Sequence, residues 1–286
     1  MTVAIGFRCD DGIVLSTDTQ YTMGPAKTDG PKLFICADNG NFATAIAGAG
    51  RVSFMKRAVE KIEHALKNLS SPTCQEIRLK VEDTLLQFFR DHIYPMPPSK
   101  QQGADFELIL GVWTYQDGFH LYKTEETTVH HVGGNYCSIG WGFYVTDYAL
   151  RLMTSWDQNI ESAKLVAAMC VKAAKDHVNY CGGDTRMLVV HNTPPSRIER
   201  ILPNEIRSAE DYAADLTETL RLIISILDIE AKSDATIDSE YVDAVMNNLK
   251  ERIVEFREKQ QKFRETASRR RERMKRKLSR DLANPS

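Results

Sequence analysis

The chain has 286 residues, 42% hydrophobic and 27% charged, with a formal net charge of −2; this is ordinary for a soluble globular protein, and the length suffices for one large domain plus an appendage. No apolar run approaches the ~20 residues of a membrane span, and the first residues lack the basic, apolar and cleavage regions of a signal peptide. A cytoplasmic protein with no membrane partner is therefore expected.

In chain order, residues 2–9 and 12–18 read as strands joined by the turn Asp10-Asp11-Gly12. Residues 32–36 and 41–47 read as a second pair, turning at Asp38-Asn39-Gly40. Val52, Met55, Val59, Ile62 and Leu66 then recur at spacings of three and four, which predicts a helix. Thr73 with Glu76 forms a capping box that opens a second helix, striped by Ile77, Val81, Leu85 and Phe88. Pro95, Pro97 and Pro98 predict a loop. Strands resume at 106–115 and 118–123, with shorter ones at 127–132 and 136–139. Residues 141–153 and 160–177 read as helices, and 187–191 with 197–202 as a final strand pair. Grouped strands and grouped helices predict packed sheets covered by helix layers, an α+β class.

Beyond Pro203 the chain holds no further glycine, and no proline before Pro285. Two long helices are predicted, one over 209–229 and one from about Ser239. In the second, Val242, Met246, Leu249, Ile253, Phe256, Phe263 and Ala267 keep a four-three spacing interrupted by Gln260, a coiled-coil-like seam of about three to four heptads. From Lys250 to Ser286 there are 14 Lys/Arg against 6 Asp/Glu, while the rest of the chain carries 23 against 33. The basic run Arg269–Lys277 suits an acidic partner, a polyanion or a solvated helix end. These shifts divide the chain into 2–203, a helical extension over 204–268 and a basic tail over 269–286.

The six cysteines form no CxxC pair and sit mostly in apolar runs, so reduced, buried thiols are expected. His130 and His131 would point to opposite faces of a strand. No metal site and no cofactor are expected.

Thr2 carries the chemistry. Removal of Met1 would leave a threonine with both a hydroxyl and a free α-amine. A hydroxyl needs a base before it attacks, and a neighbouring α-amine is one recognised base, with an unperturbed pKa of about 7.7–8.0. Thr2, Gly12, Asp18, Gly24, Lys32 and the segment Ala45-Ile46-Ala47-Gly48-Ala49-Gly50 together resemble the proteasome β-subunit family of N-terminal-nucleophile hydrolases, over roughly residues 2–200. The segment from Gly24 to Lys32 is about two residues shorter than usual, a tolerable loop change.

The resemblance implies a four-layer αββα sandwich with a C-terminal helical extension. It implies Thr2 as nucleophile, Lys32 lowering the pKa of the α-amine, Asp18 orienting Lys32, and the Gly48 amide as oxyanion donor. Tyr21, Ile46 and Gly50 match the pocket for the side chain preceding the cleaved bond. In the supporting shell, Gly140-Trp141-Gly142 has tryptophan where the family has serine, Val178 stands for an aspartate, Cys181 stands for a serine, and Asp176 resembles an aspartate of the bacterial ATP-dependent ring protease. Trp141 would either block or reshape the cleft, or pack in an apolar pocket. The implied function is a threonine peptidase in a ring-like, self-compartmentalising homo-oligomer, cleaving peptides or unfolded proteins, with an unfoldase or an acidic partner for the C-terminal helices. Two alternatives stay open: a catalytically inactive structural ring subunit, and an N-terminal-nucleophile amidohydrolase acting on a small amide.

Overall fold

A computed structural model describes residues 2–232 apart from 24–25, 102, 154–158 and 194–195, and scattered residues between 243 and 276. The elements of its first part are β1 (Ala4–Cys9), β2 (Gly12–Asp18), β3 (Gln20–Met23), β4 (Ala26–Asp29), β5 (Leu33–Asp38) and β6 (Phe42–Gly50). The helices α1 (Val52–Leu66), α2 (Cys74–His92) and the one-turn α3 (Pro98–Gln101) come next. After them run β7 (Phe106–Thr114), β8 (Gly118–Glu125), β9 (Thr128–His131), β10 (Tyr136–Ile139), α4 (Phe143–Met153), α5 (Ile160–His177), β11 (Thr185–His191), β12 (Ile198–Arg200) and α6 (Pro203–Lys232).

Two five-stranded sheets form, in the orders β10-β1-β2-β11-β12 and β5-β6-β7-β8-β9. Helices α4 and α5 cover the first sheet, and α1 and α2 cover the second. The result is the four-layer αββα sandwich that the sequence resemblance implied, with extra C-terminal helices.

Strand β6 shows why the layers lie where they do. Successive side chains of a strand point to opposite faces. Ala43, Ala45, Ala47 and Ala49 face the other sheet, among Ile13, Leu15, Ile109 and Val190. Phe42 and Ile46 face the helices, among Met55, Ile62, Ile77, Leu85 and Phe88. The inter-sheet side of β6 is thus built from small residues. Gly6 continues that theme from β1, since a Cβ there would lie 2.8 Å from Ile109 Cγ2 and 2.9 Å from Leu121 Cδ1. The capping box is present: Thr73 accepts from the Glu76 amide at 3.2 Å, and Glu76 accepts from the Thr73 amide at 2.7 Å.

Two features depart from the sequence expectation. The β3–β4 hairpin was not predicted, because Ala26–Asp29 is exposed at every position and carries no alternating pattern. The proline-rich loop contains the one-turn helix α3, too short for a periodic signal.

The chain divides into two compact units, Met1–Ile206 and Arg207–Ser286. Within the second, Tyr212 stacks on Phe256 with ring centroids 3.9 Å apart, and Arg252 pairs with Asp215 at 2.8 Å. Seam residue Met246 is exposed, whereas Ile253 and Phe256 are half-buried. Val242, Leu249, Phe263, Ala267 and much of the basic run lie outside the described residues.

Substituting Gly6→Val would force Ile109 and Leu121 aside. A loss of about 1–3 kcal/mol is expected from overpacking, read as a lower midpoint in denaturant unfolding, with Gly6→Ala costing less.

Candidate active site

Thr2 stands just before β1, Asp18 closes β2 and Lys32 leads into β5, so the antiparallel β1–β2 pair and the start of the second sheet bring the three together. Thr2 is 2% exposed, Asp18 0% and Lys32 1%. The Thr2 hydroxyl donates to Asp18 Oδ1 and accepts from Lys32 Nζ. Lys32 Nζ also donates to Asp18 Oδ1 at 2.7 Å and to the Gln20 carbonyl at 2.5 Å. Asp18 further accepts from the Val3 amide at 3.1 Å and, through Oδ2, from the Gly182 amide at 3.0 Å. Burial pushes the Lys32 pKa down, and the Asp18 carboxylate opposes that shift.

The Gly-Trp-Gly segment holds Thr2 through its glycines. Gly140 has φ +82°, and a Cβ there would run into the Thr2 carbonyl. The Gly142 amide donates to that same carbonyl at 3.2 Å. The Gly140 amide donates to Glu107 Oε2 at 3.1 Å. The Trp141 ring neither plugs the site nor packs inside it. It is 56% exposed, lies edge-on to Tyr180 at 5.8 Å between centroids, and walls a cavity of about 540 Å³. Thr2, Gly50 and Gly140 line the same cavity.

Several expected residues are placed elsewhere. Tyr21 and Ile46 are buried in the core beneath α1 and do not line the cavity. The Tyr21 hydroxyl donates to the Pro31 carbonyl, and its ring lies 5.0 Å from Lys32 Nζ. Of the three proposed pocket residues only Gly50 reaches the cavity. Its φ is +109°, and a Cβ would meet the Asp105 carbonyl. The Gly48 amide donates to the Lys32 carbonyl at 2.9 Å, so it is engaged between strands. Asp176 pairs with Lys172 at 2.6 Å on the surface of α5. Cys181 is 4% exposed, and burial with the Asp18 charge raises its thiol to about 12, which keeps it protonated and inert.

Two contributors escaped sequence reasoning. Gly182 supplies the amide that fixes Asp18, and Glu107 anchors the Gly140 turn. The amide of Gly182 leaves no side-chain signal, and nothing in the alternation of β7 marked Glu107.

A family model described as proteasome subunit matches residues 2–190. The chain belongs to the proteasome subunit family. A proteasome subunit beta 2 of Pyrobaculum neutrophilum is 25% identical over 189 residues, 65% of this chain and 87% of that protein. Solved structures similar in fold include Anbu from Hyphomicrobium sp. strain MC1 as a Gly-1 mutant, with TM-score 0.67 and 16% identity over 80% of this chain and all of that one. Anbu from Yersinia bercovieri, an ancestral β-subunit, gives 0.66 and 13% over 78% of this chain and 97% of that one. A Pseudomonas aeruginosa structure, described as the helical assembly of the Anbu complex, gives 0.64 and 12% over 83% and 99%. That helical assembly overturns the expectation of a closed ring. At these identities the likeness establishes the fold of this proteasome-family chain and carries no activity with it. No helix among the described residues is long and apolar enough to cross a membrane.

Removing one partner of the buried Lys32–Asp18 pair strands a charge, at a cost of about 3–5 kcal/mol. Asp18→Ala should lose that much in denaturant unfolding. The pair Asp18→Leu with Lys32→Met should recover a large part of it.

Proposed function

We propose that this proteasome-family chain is an N-terminal-nucleophile amidohydrolase, in which Thr2, freed by removal of Met1, attacks a small amide. The observation that carries this reading is a Thr2 hydroxyl held by Lys32 and Asp18 at the wall of the 540 Å³ cavity. That volume falls within the range of roughly 300–1,000 Å³ typical of small-molecule sites. Thr2 Oγ would attack the amide carbon while the α-amine takes its proton. The proton then passes to the leaving nitrogen as the C–N bond breaks, and water hydrolyses the resulting ester. A threonine peptidase would use the same steps; the small volume of this half-open cavity is what favours a small substrate over an unfolded chain.

A second reading, a catalytically silent subunit of an assembly, is favoured by the Gly48 amide. Its donation to the Lys32 carbonyl leaves the expected oxyanion donor occupied, and one missing donor lowers kcat by about 10²–10³. Slow turnover is therefore expected of the hydrolase, and no turnover of the silent subunit.

In assays on aminoacyl-coumarin amides, Thr2→Ala should abolish hydrolysis while the fold survives. Turnover retained in that variant would move the chemistry elsewhere.

Hydrolysis should also fall on an alkaline limb set below the ordinary lysine value. Lys32 loses its charge as pH rises through its folded pKa, which burial has lowered. Asp18→Asn removes the opposing stabilisation and should move that limb to still lower pH.

A further inference from the structure

The cavity beside Thr2 has a one-sided charge. Asp105, Glu107, Glu125 and Glu126 line it, and Lys123 carries the only cationic side chain among the described lining residues, to which a freed Thr2 α-amine adds a positive charge when protonated. The Lys123 ammonium is already committed, lying 3.4 Å from Glu107. Glu107 also accepts from the Gly140 amide, and Glu125 faces His130 at 3.8 Å. The carboxylates of Asp105 and Glu126 have no hydrogen bond or ion pair among the described residues.

Three further features suit a ligand. Trp141, Phe143 and Tyr144 line the cavity and are exposed, giving the π-faces that attract cations. Ser138 is only 9% exposed and lines the cavity, and its hydroxyl has no partner among the described residues. Thr2 lies on the same wall, so a ligand filling this space touches the candidate nucleophile. A concave surface of one sign focuses its field and concentrates the opposite charge.

We propose that the cavity selects a small amide carrying an ammonium or guanidinium group, bound between the Asp105 and Glu126 carboxylates and the Trp141 face, with Ser138 hydrogen-bonding the ligand. This selectivity rests on the amidohydrolase reading for its reaction and not for its binding. Glutamate-bearing analogues meet like charges and are rejected; leucine analogues bind through the aromatic wall alone.

The test measures binding of Nα-acetyl-argininamide, Nα-acetyl-leucinamide and the corresponding glutamic acid amide by calorimetry, to the full wild-type chain and to Thr2→Ala. The matching coumarin amides report hydrolysis by wild type. The arginine compound should bind at least about ten-fold more tightly than the glutamate one, a difference of ~1.4 kcal/mol, and the gap should shrink as salt rises. Asp105→Asn combined with Glu126→Gln should erase it. Equal binding of the three amides, or a preference that survives the double substitution, would overturn the inference. Selective binding without hydrolysis would sink the amidohydrolase reading and leave the cation selectivity standing. Hydrolysis without charge preference would do the reverse.

Discussion

A lysine and an aspartate with no solvent contact share one carboxylate oxygen with a threonine hydroxyl, and the site is organised around that contact. Two charges taken out of water are costly unless the remaining donors and acceptors are met. Here Asp18 also receives the Val3 and Gly182 amides, and Lys32 also reaches the Gln20 carbonyl. Those three backbone groups come from the residue before β1, the loop before β11 and the start of the β3–β4 hairpin. The pair therefore ties three separate chain segments to the position of Thr2. The same burial lowers the Lys32 pKa, which links structural cohesion to the electrostatics of the hydroxyl.

The two sheets supply the frame. Alanines on one face of β6, with Gly6 opposite, bring the sheets close, while the other face of β6 receives the helices. The tryptophan between Gly140 and Gly142 becomes intelligible in this frame. Both glycines serve the Thr2 carbonyl, one by making room and one by donating its amide. The intervening side chain points into the cavity and solvent, where size is tolerated. A change that looks disruptive in sequence thus alters the wall of the cavity and leaves the support of Thr2 in place.

Much of this was legible in the sequence. Apolar runs bounded by turn residues located ten of the strands, several of them buried on both faces, and a period of three to four located the helices of the sandwich, which bury one face. Thr2, Asp18 and Lys32 were expected from the resemblance to the proteasome β-subunit family and do come together. The β3–β4 hairpin was invisible because β4 is exposed at every position and has no buried face to pattern its residues. Tyr21 and Ile46 were expected at a pocket and lie in the core. Residue spacing specifies which face of a strand a side chain takes, but not whether a helix covers that face. The Gly48 amide was expected free and is bonded to the Lys32 carbonyl, since backbone donation depends on how far the neighbouring strand extends. Glu107 and Gly182 act through backbone contacts across the fold, which no local pattern records.

Intact-protein mass spectrometry after treatment with a β-lactone asks whether Thr2 is a nucleophile activated in this buried network. The expected product is a chain lacking Met1 that carries one acyl adduct, mapped to Thr2, with acylation greatly slowed in Lys32→Ala. A free Thr2 that gains no adduct, or an adduct mapped to another residue, would contradict that role.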